Sequence, residues 1–135
     1  MDVAHRHRIL IVEDHDADMV RMMITRSRNP IAAAATVVAV RDLASARAEL
    51  TSEPYDLILL DLELPDGTGL DLAQEITRST NPHRPIVIAV TASAIPAERD
   101  RILAQGCDDF VSKPYDPHQL VNLAVKHLTN RAATA

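Results

Sequence analysis

Short aliphatic runs alternate with helical stretches along the chain, and this alternation limits the possible folds more than any other feature of the sequence. The aliphatic runs predict strands buried on both faces, because nearly every position in them is apolar. These strands are predicted at residues 8–14, 35–40, 55–61, 85–91 and 108–112. Helices are predicted at residues 16–28, 42–52, 68–79, 96–105 and 116–128. Strict alternation of this kind predicts an α/β fold, in which right-handed crossovers build one parallel sheet.

Local signals support several of the predicted helix ends. Asp42 is suited to cap the start of the second helix, and Pro96 occupies the favoured first position of the fourth. Gly106 follows that helix and ends it. The Asn-Pro pair at 29–30 predicts the end of the first helix. Residues 30–35 remain open between a loop and the beginning of the second strand.

Composition excludes several classes of protein. The chain has 135 residues, the size of one domain, and a net charge of −5, which argues against a nucleic-acid-binding surface. No apolar run reaches the length of a membrane span, and the N-terminal residues lack the apolar stretch of a signal peptide. Cys107 is the only cysteine, so no internal disulfide can form. We therefore expect a cytoplasmic protein without membrane insertion and without a nucleic-acid partner.

Polar residues follow the predicted strands at the points where they end. Glu13 and Asp14 end the first strand, Asp61 ends the third, Thr91 ends the fourth, and Lys113 follows the fifth. In an open parallel sheet, ligands bind beyond the carboxyl ends of the strands. These three acids, one hydroxyl and one ammonium are therefore expected at one edge of the sheet.

The residue types at this edge indicate phosphoryl chemistry. Carboxylates close together repel one another unless a cation lies between them, and oxygen ligands of this kind suit Mg²⁺. The lysine and the threonine are suited to an anion. A metal, an anion and an aspartate together predict phosphoryl transfer onto a carboxylate.

With these motifs, the sequence resembles the receiver domain of bacterial two-component response regulators. The motifs are Glu13-Asp14, Asp61 followed by Pro65 and Gly67, "TAS" at 91–93 and "SKP" at 112–114. Four motifs in order at four strand ends make the resemblance specific.

The resemblance extends over residues 8–129 and implies the fold and the domain limits. The implied fold is a flavodoxin-like, doubly wound α/β fold with strand order 2-1-3-4-5 and five helices. Residues 1–7 and 130–135 are then expected to be terminal tails, with no effector domain.

The resemblance also implies a metal site. Asp61 is implied to be the phosphoacceptor and, with Asp14, to bind Mg²⁺ (or Mn²⁺). The backbone carbonyl of Glu63 is implied as a further ligand, and Glu13 is implied to act mostly through a metal-bound water.

Further residues are implied to bind the phosphoryl group and to transmit its presence. Lys113 and Thr91 are implied to contact the phosphoryl oxygens, and the Lys113–Pro114 bond is expected to be cis. Thr91 and Phe110 are the implied switch residues. Glu63 and Ser93 are implied to modulate the lifetime of the phosphoryl group.

The implied function is a signalling switch of a two-component system or phosphorelay. A histidine kinase or a histidine phosphotransfer protein would supply the phosphoryl group. The output would be a downstream protein bound by the fourth helix, fifth strand and fifth helix of the prediction. The chain would catalyse only its own phosphoryl transfer and autodephosphorylation, rather than act as an ordinary enzyme.

Two alternatives belong to other functional classes. One is an interaction module with a receiver-like fold that works without phosphorylation; such proteins usually lack part of the acidic or lysine set, which is complete here. The other is a haloacid-dehalogenase-like phosphatase, suggested by the Asp-Gly-Thr sequence at 66–68. That family needs a nucleophilic aspartate and, two residues later, a second aspartate directly before Gly-Thr. If Asp66 is the second aspartate, the nucleophile position is Leu64; if Asp61 is the nucleophile, the second position is Glu63, so the pattern fails in both registers.

Overall fold

Parallel strands form the centre of the protein, with helices on both faces. The computed structural model describes residues 7–92 and 95–134. The strands of the main sheet are β1 (Arg8–Val12), β2 (Thr36–Val40), β3 (Leu57–Asp61), β6 (Ile86–Thr91) and β7 (Asp109–Ser112). A short hairpin adds β4 (Glu63–Leu64) and β5 (Gly67–Thr68). The helices are α1 (Ala17–Thr25), α2 (Pro30–Ala34), α3 (Leu43–Ser52), α4 (Gly69–Arg78), α5 (Pro96–Ala104) and α6 (Pro117–Thr134).

The strand order of the main sheet is β2-β1-β3-β6-β7, and all its pairings are parallel. This is the predicted order 2-1-3-4-5, with β6 and β7 as the fourth and fifth predicted strands. The order confirms the flavodoxin-like, doubly wound arrangement. β3 lies at the centre, and every one of its residues is buried.

The core consists of two layers separated by the sheet. Successive strand residues point to opposite faces, so Leu10 packs with α3, α4 and α5 while Ile9 packs with α1, α2 and α6. Ile58 and Leu59 of β3 divide between the layers in the same way. Two-sided burial explains why the strands are continuous aliphatic runs rather than alternating ones. Among the described residues, no helix is both long and apolar enough to cross a membrane.

The structure contains a helix that the sequence did not predict, so the described residues form six helices instead of five. The Asn29 side chain accepts hydrogen bonds from the backbone N–H groups of Ile31 (2.9 Å) and Ala32 (3.4 Å), and Pro30 is the first residue of α2. The Asn-Pro pair therefore caps a new helix, whereas the sequence pattern predicts only the end of the preceding one. α1 already ends at Thr25, not at residue 28.

The last helix is longer than expected. α6 runs to Thr134, beyond the predicted end at residue 128 and into the predicted tail at 130–135. The Arg131 guanidinium donates a 2.9 Å hydrogen bond to the backbone carbonyl of Asp56, which attaches this extension to the beginning of β3. No proline or glycine follows residue 128 to end the helix earlier.

The β4–β5 hairpin connects the end of β3 to α4 and is anchored on α3. The Asp66 carboxylate in its turn accepts hydrogen bonds from the backbone N–H groups of Leu43 (2.9 Å) and Ala44 (3.1 Å). The hydrogen bond from Leu43 has the largest effect and lowers the pKa of Asp66; burial opposes it, and the hydrogen bond from Ala44 lowers the pKa further. Gly67 has a φ of 146°, a value that favours glycine, so the turn depends on this residue.

Gly69 allows α4 to start directly against the end of β3. A Cβ atom at this position would lie 2.5 Å from the backbone oxygen of Asp61. No side chain fits at that distance without displacement of the backbone that carries Asp61.

We predict that Gly69→Ala lowers the free energy of unfolding by about 1–3 kcal/mol, the usual cost of overpacking. Urea denaturation measures the change. Arg78→Ala, at an exposed position in the same helix, is the control and should change stability by less than about 0.5 kcal/mol. Equal stability of the two variants would contradict the close approach.

Cys107 lies in the core layer formed with α3, α4 and α5, and it is 5% exposed. Burial, with a smaller contribution from the Asp108 charge, raises the pKa of its thiol to about 12. Because the thiolate is the reactive form, this cysteine should be inert near neutral pH.

We predict that iodoacetamide at pH 8 alkylates native Cys107 at least about 100-fold more slowly than the urea-unfolded chain, where an ordinary thiol has a pKa near 8.5. Mass spectrometry follows the reaction without ambiguity, since the chain has one cysteine. The native rate should rise as the pH approaches the raised pKa. Comparable rates in the native and unfolded chains at pH 8 would refute the prediction.

Candidate functional site

The ends of the parallel strands bring the predicted polar residues to one edge of the sheet. β1 ends immediately before Glu13, β3 ends at Asp61, β6 ends at Thr91, and β7 ends one residue before Lys113. The ladder between β6 and β7 includes the pair Thr91 and Ser112, so these two strand ends lie side by side. The juxtaposition predicted from the strand ends is therefore present in the structure.

Three carboxylates meet at this edge. One carboxylate oxygen each from Glu13, Asp14 and Asp61 lies within 4.8 Å of the others. Glu13 and Asp61 are buried, with 4% and 1% of their surface exposed. Burial raises the pKa of Glu13, and the Asp61 charge adds to this effect, while hydrogen bonding from the backbone of His15 opposes it. Three carboxylate oxygens so close together are suited to bind a divalent cation such as Mg²⁺, which prefers oxygen ligands.

Lys113 supplies the positive charge nearest to these acids. Its Nζ atom is 2.8 Å from Asp61 Oδ2 and 3.5 Å from Glu13 Oε2. Partial burial acts to lower the pKa of Lys113, but the hydrogen bond to Asp61 and the charges of Asp61 and Glu13 raise it overall. The lysine therefore stays charged at neutral pH and compensates the buried carboxylates.

Both oxygens of the Asp61 carboxylate have a partner. The backbone N–H of Glu63 donates a 2.9 Å hydrogen bond to Oδ1, while Lys113 binds Oδ2. The backbone N–H of Leu62 donates to the carbonyl of Val90 at 3.1 Å, which extends the pairing of β3 with β6 past the acid. These contacts fix the direction of the carboxylate. The side chain of Glu63 is exposed.

Thr91 and the chain after β7 form the other side of the site. Thr91 is 6% exposed, and its backbone carbonyl accepts a 2.7 Å hydrogen bond from the backbone N–H of Lys113. The Lys113–Pro114 peptide bond is cis. Ser93, the second residue predicted to modulate the phosphoryl lifetime, lies outside the described residues.

Phe110 lies in β7, three residues before the lysine, and is half-buried. Its ring packs against the core layer formed with α3, α4 and α5. The backbone partner of Phe110 in the ladder with β6 is Ala89, two residues before Thr91.

Sequence reasoning missed three residues that shape the site. The backbone N–H of His15 donates to Glu13 Oε1 at 3.0 Å, and Gly69 packs against the backbone of Asp61. Tyr115 lines a small cavity with Glu13 and Asp61, and burial followed by the Glu13 and Asp16 charges raises the pKa of its hydroxyl. The rarity of aromatic residues was the one available signal for Tyr115, since the chain has only two tyrosines and one phenylalanine.

Comparison with known proteins decides the family. The family model described as "Response regulator receiver domain" matches residues 9–125. The chain belongs to this family. The resemblance found in the motifs is thereby confirmed.

Known receiver-containing proteins are similar over different parts of the chain. The response regulator protein PilR of Pseudomonas aeruginosa is 34% identical over 126 residues, covering 93% of this chain and 27% of PilR. The signal transduction histidine-protein kinase BarA of Escherichia coli is 34% identical over 74 residues, covering 55% of this chain and 8% of BarA. The chain thus spans only a minor part of these relatives.

A solved receiver domain shows the same fold. The CheY-like response regulator receiver domain protein of Methanospirillum hungatei superimposes with a TM-score of 0.82 at 23% identity, covering 97% of this chain and 100% of that one. The family match and these relatives show that the chain contains a signalling domain of the kind found in response regulators and in histidine kinases.

Proposed function

We propose that Asp61 of this receiver domain accepts a phosphoryl group from a phosphohistidine on a histidine kinase or a histidine phosphotransfer protein. The observation that supports this most directly is the 2.8 Å contact of Lys113 Nζ with Asp61 Oδ2 inside the carboxylate cluster. An ammonium group at this position is suited to bind a phosphoryl oxygen once Asp61 carries the phosphoryl group.

In the proposed step, a carboxylate oxygen of Asp61 forms a bond to phosphorus while the bond from phosphorus to the donor histidine nitrogen breaks. The donor ring carries a proton on its other nitrogen, so it leaves as a neutral imidazole. Glu63 N–H and Lys113 Nζ hold the carboxylate in one direction, which reduces the entropic part of the barrier. Lys113 and the Thr91 hydroxyl then contact oxygens of the transferred group.

Glu13, Asp14 and Asp61 would hold Mg²⁺ (or Mn²⁺), with the backbone carbonyl of Glu63 as a further ligand. The bound cation supplies neutralisation of the charge that the acids and the phosphoryl oxygens bring together. The acids of this chain would contribute the oxygen donors, and Lys113 contributes a second positive charge at Asp61 Oδ2.

The output of the proposed switch is a change in the surface formed by α5, β7 and α6. Phosphorylation adds charge and strong acceptors beside Thr91, which draws the hydroxyl inward and gives Phe110 a new position. These contacts can shift the populations of the two conformations only by the difference between their energies in the two states. A downstream protein that binds this surface then distinguishes the two states, and autodephosphorylation returns the domain to the first.

We predict that acetyl phosphate with Mg²⁺ adds about 80 Da to the chain, the increment of one phosphoryl group. The adduct should be stable in acid and labile in base, as an acyl phosphate is, and should be absent from Asp61→Asn. Intact-mass spectrometry measures it. Asp100→Asn, which removes an exposed carboxylate on α5, is the control and should be phosphorylated like the wild type.

Other results of this experiment identify the alternatives. A folded wild-type chain without a mass increase would indicate an interaction module that works without phosphorylation. Steady turnover of p-nitrophenyl phosphate would indicate a phosphatase of the haloacid-dehalogenase type. Phosphorylation that persists in Asp61→Asn would refute Asp61 as the acceptor.

We predict that Glu63→Asn changes the half-life of the phosphorylated chain at least several-fold. The exposed Glu63 carboxylate lies two residues after Asp61 in sequence, where its charge acts on both the phosphoryl group and the attacking water. Decay of the phosphorylated mass after removal of acetyl phosphate gives the rate. Glu53→Gln, at an exposed position after α3, is the control, and equal half-lives for all three proteins would exclude the effect.

A further inference from the structure

The guanidinium group of Arg99 lies on the ring of Phe110. Arg99 is in the first turn of α5, and its Cζ atom is 5.1 Å from the centroid of the ring. This distance is within the range in which a cation is attracted to the face of an aromatic ring. Phe110 is the only phenylalanine in the chain.

Within the part of the chain that the structure describes, the ring is the main partner of this guanidinium. The Arg99 Nε atom is buried and has no hydrogen-bond partner there. The carboxylate of Glu98, the residue before Arg99, instead lies 3.4 Å from Nη1 of Arg101, three residues further along the helix. A buried N–H group without an acceptor is costly, and the ring face provides the remaining compensation for it.

The backbone of Phe110 is held by hydrogen bonding and by its place in the sheet. Its N–H donates a 2.8 Å hydrogen bond to Asp109 Oδ1, and Asp109 Oδ2 is 2.8 Å from Nε2 of His127 on α6. The pairing with Ala89 holds Phe110 in the sheet. With the backbone fixed in this way, a change of position would involve the ring, and Arg99 contacts the ring.

We propose that Arg99 is a positioning residue that holds the Phe110 ring in its present place and so opposes the phosphorylated conformation. This inference rests on the proposed function, in which Phe110 moves when Asp61 is phosphorylated. Moving the ring away removes the cation–π contact and leaves the buried Nε group without compensation. The contact therefore favours the unphosphorylated state. Because coupling between two sites is reciprocal, phosphorylation disfavours the contact by the same free energy.

The test uses the full chain with ring-¹³C-labelled phenylalanine, which gives NMR signals from Phe110 alone. Beryllofluoride with Mg²⁺ serves as the phosphoryl mimic. Arg99→Gln should lower the half-saturating beryllofluoride concentration about two- to fivefold, the strength expected of an exposed or partly buried cation–π contact. Its ring signals without beryllofluoride should also move toward their saturated positions.

Two further variants separate the charge from a general effect on α5. Arg99→Lys keeps a cation and should stay closer to the wild type than to Arg99→Gln. Arg101→Gln removes an arginine from the same helix that is paired with Glu98 instead of the ring, and it should leave the titration unchanged. Wild-type behaviour of Arg99→Gln, or an equal shift in Arg101→Gln, would overturn the proposal.

A measurement on the wild-type chain keeps the proposal testable if Arg99→Gln does not fold. The Nε–H proton of Arg99 should show an upfield ring-current shift that disappears when beryllofluoride saturates the site; an unchanged shift would contradict the proposal. Phe110 signals that do not respond to beryllofluoride at all would instead contradict the proposed movement of Phe110. The two failures are therefore distinguishable.

Discussion

The carboxylate of Asp61 is buried at the end of the central strand, and much of the surrounding structure compensates for that burial. An isolated buried charge is unfavourable by several kcal/mol, so Asp61 needs partners that stay in place. Lys113 provides the opposite charge at 2.8 Å, and the backbone N–H of Glu63 binds the other oxygen. The burial of Glu13 beside them adds negative charge that favours a divalent cation at the same edge.

The fold places these partners with little freedom. β3 is buried along its whole length, and β1 and β6 flank it with a parallel register, so the ends of the strands cannot shift independently. Gly69 lets α4 begin against Asp61, and Asp66 attaches the intervening hairpin to α3. This rigidity suits the proposed phosphoryl transfer, because catalysis of that reaction depends mainly on positioning and charge neutralisation.

The proposed signal then travels a short way along neighbouring strands. Thr91 ends β6, and Phe110 is in the adjacent β7, where Arg99 of α5 covers its ring. In the proposed switch, the energy of the phosphoryl contacts competes with the energy of this cation–π contact. A weak contact is appropriate there: moving a two-state equilibrium from 1:99 to 99:1 takes about 5.5 kcal/mol, and an effect of about two- to fivefold adjusts the equilibrium without blocking the switch.

Some parts of the fold were predictable from sequence because their signals are local. Two-sided burial produces aliphatic runs, so the five strands of the main sheet and five of the six described helices could be located, with most of their ends within a few residues. α2 was missed because Asn29 and Pro30 are equally suited to follow one helix and to begin another. The β4–β5 hairpin is too short to show a periodic pattern, and the end of α6 depends on the contact of Arg131 with a distant carbonyl.

For the site, the sequence by itself determined which functional groups are available and that they follow strand ends. The parallel sheet implied that Glu13, Asp14, Asp61, Thr91 and Lys113 would share an edge, because parallel strands end on the same side. Only the tertiary structure decided the distances: which Asp61 oxygen meets the ammonium, how deeply Glu13 is buried, and that Arg99 lies on Phe110. These are contacts between side chains far apart or on different elements, and packing in three dimensions sets them rather than any local preference.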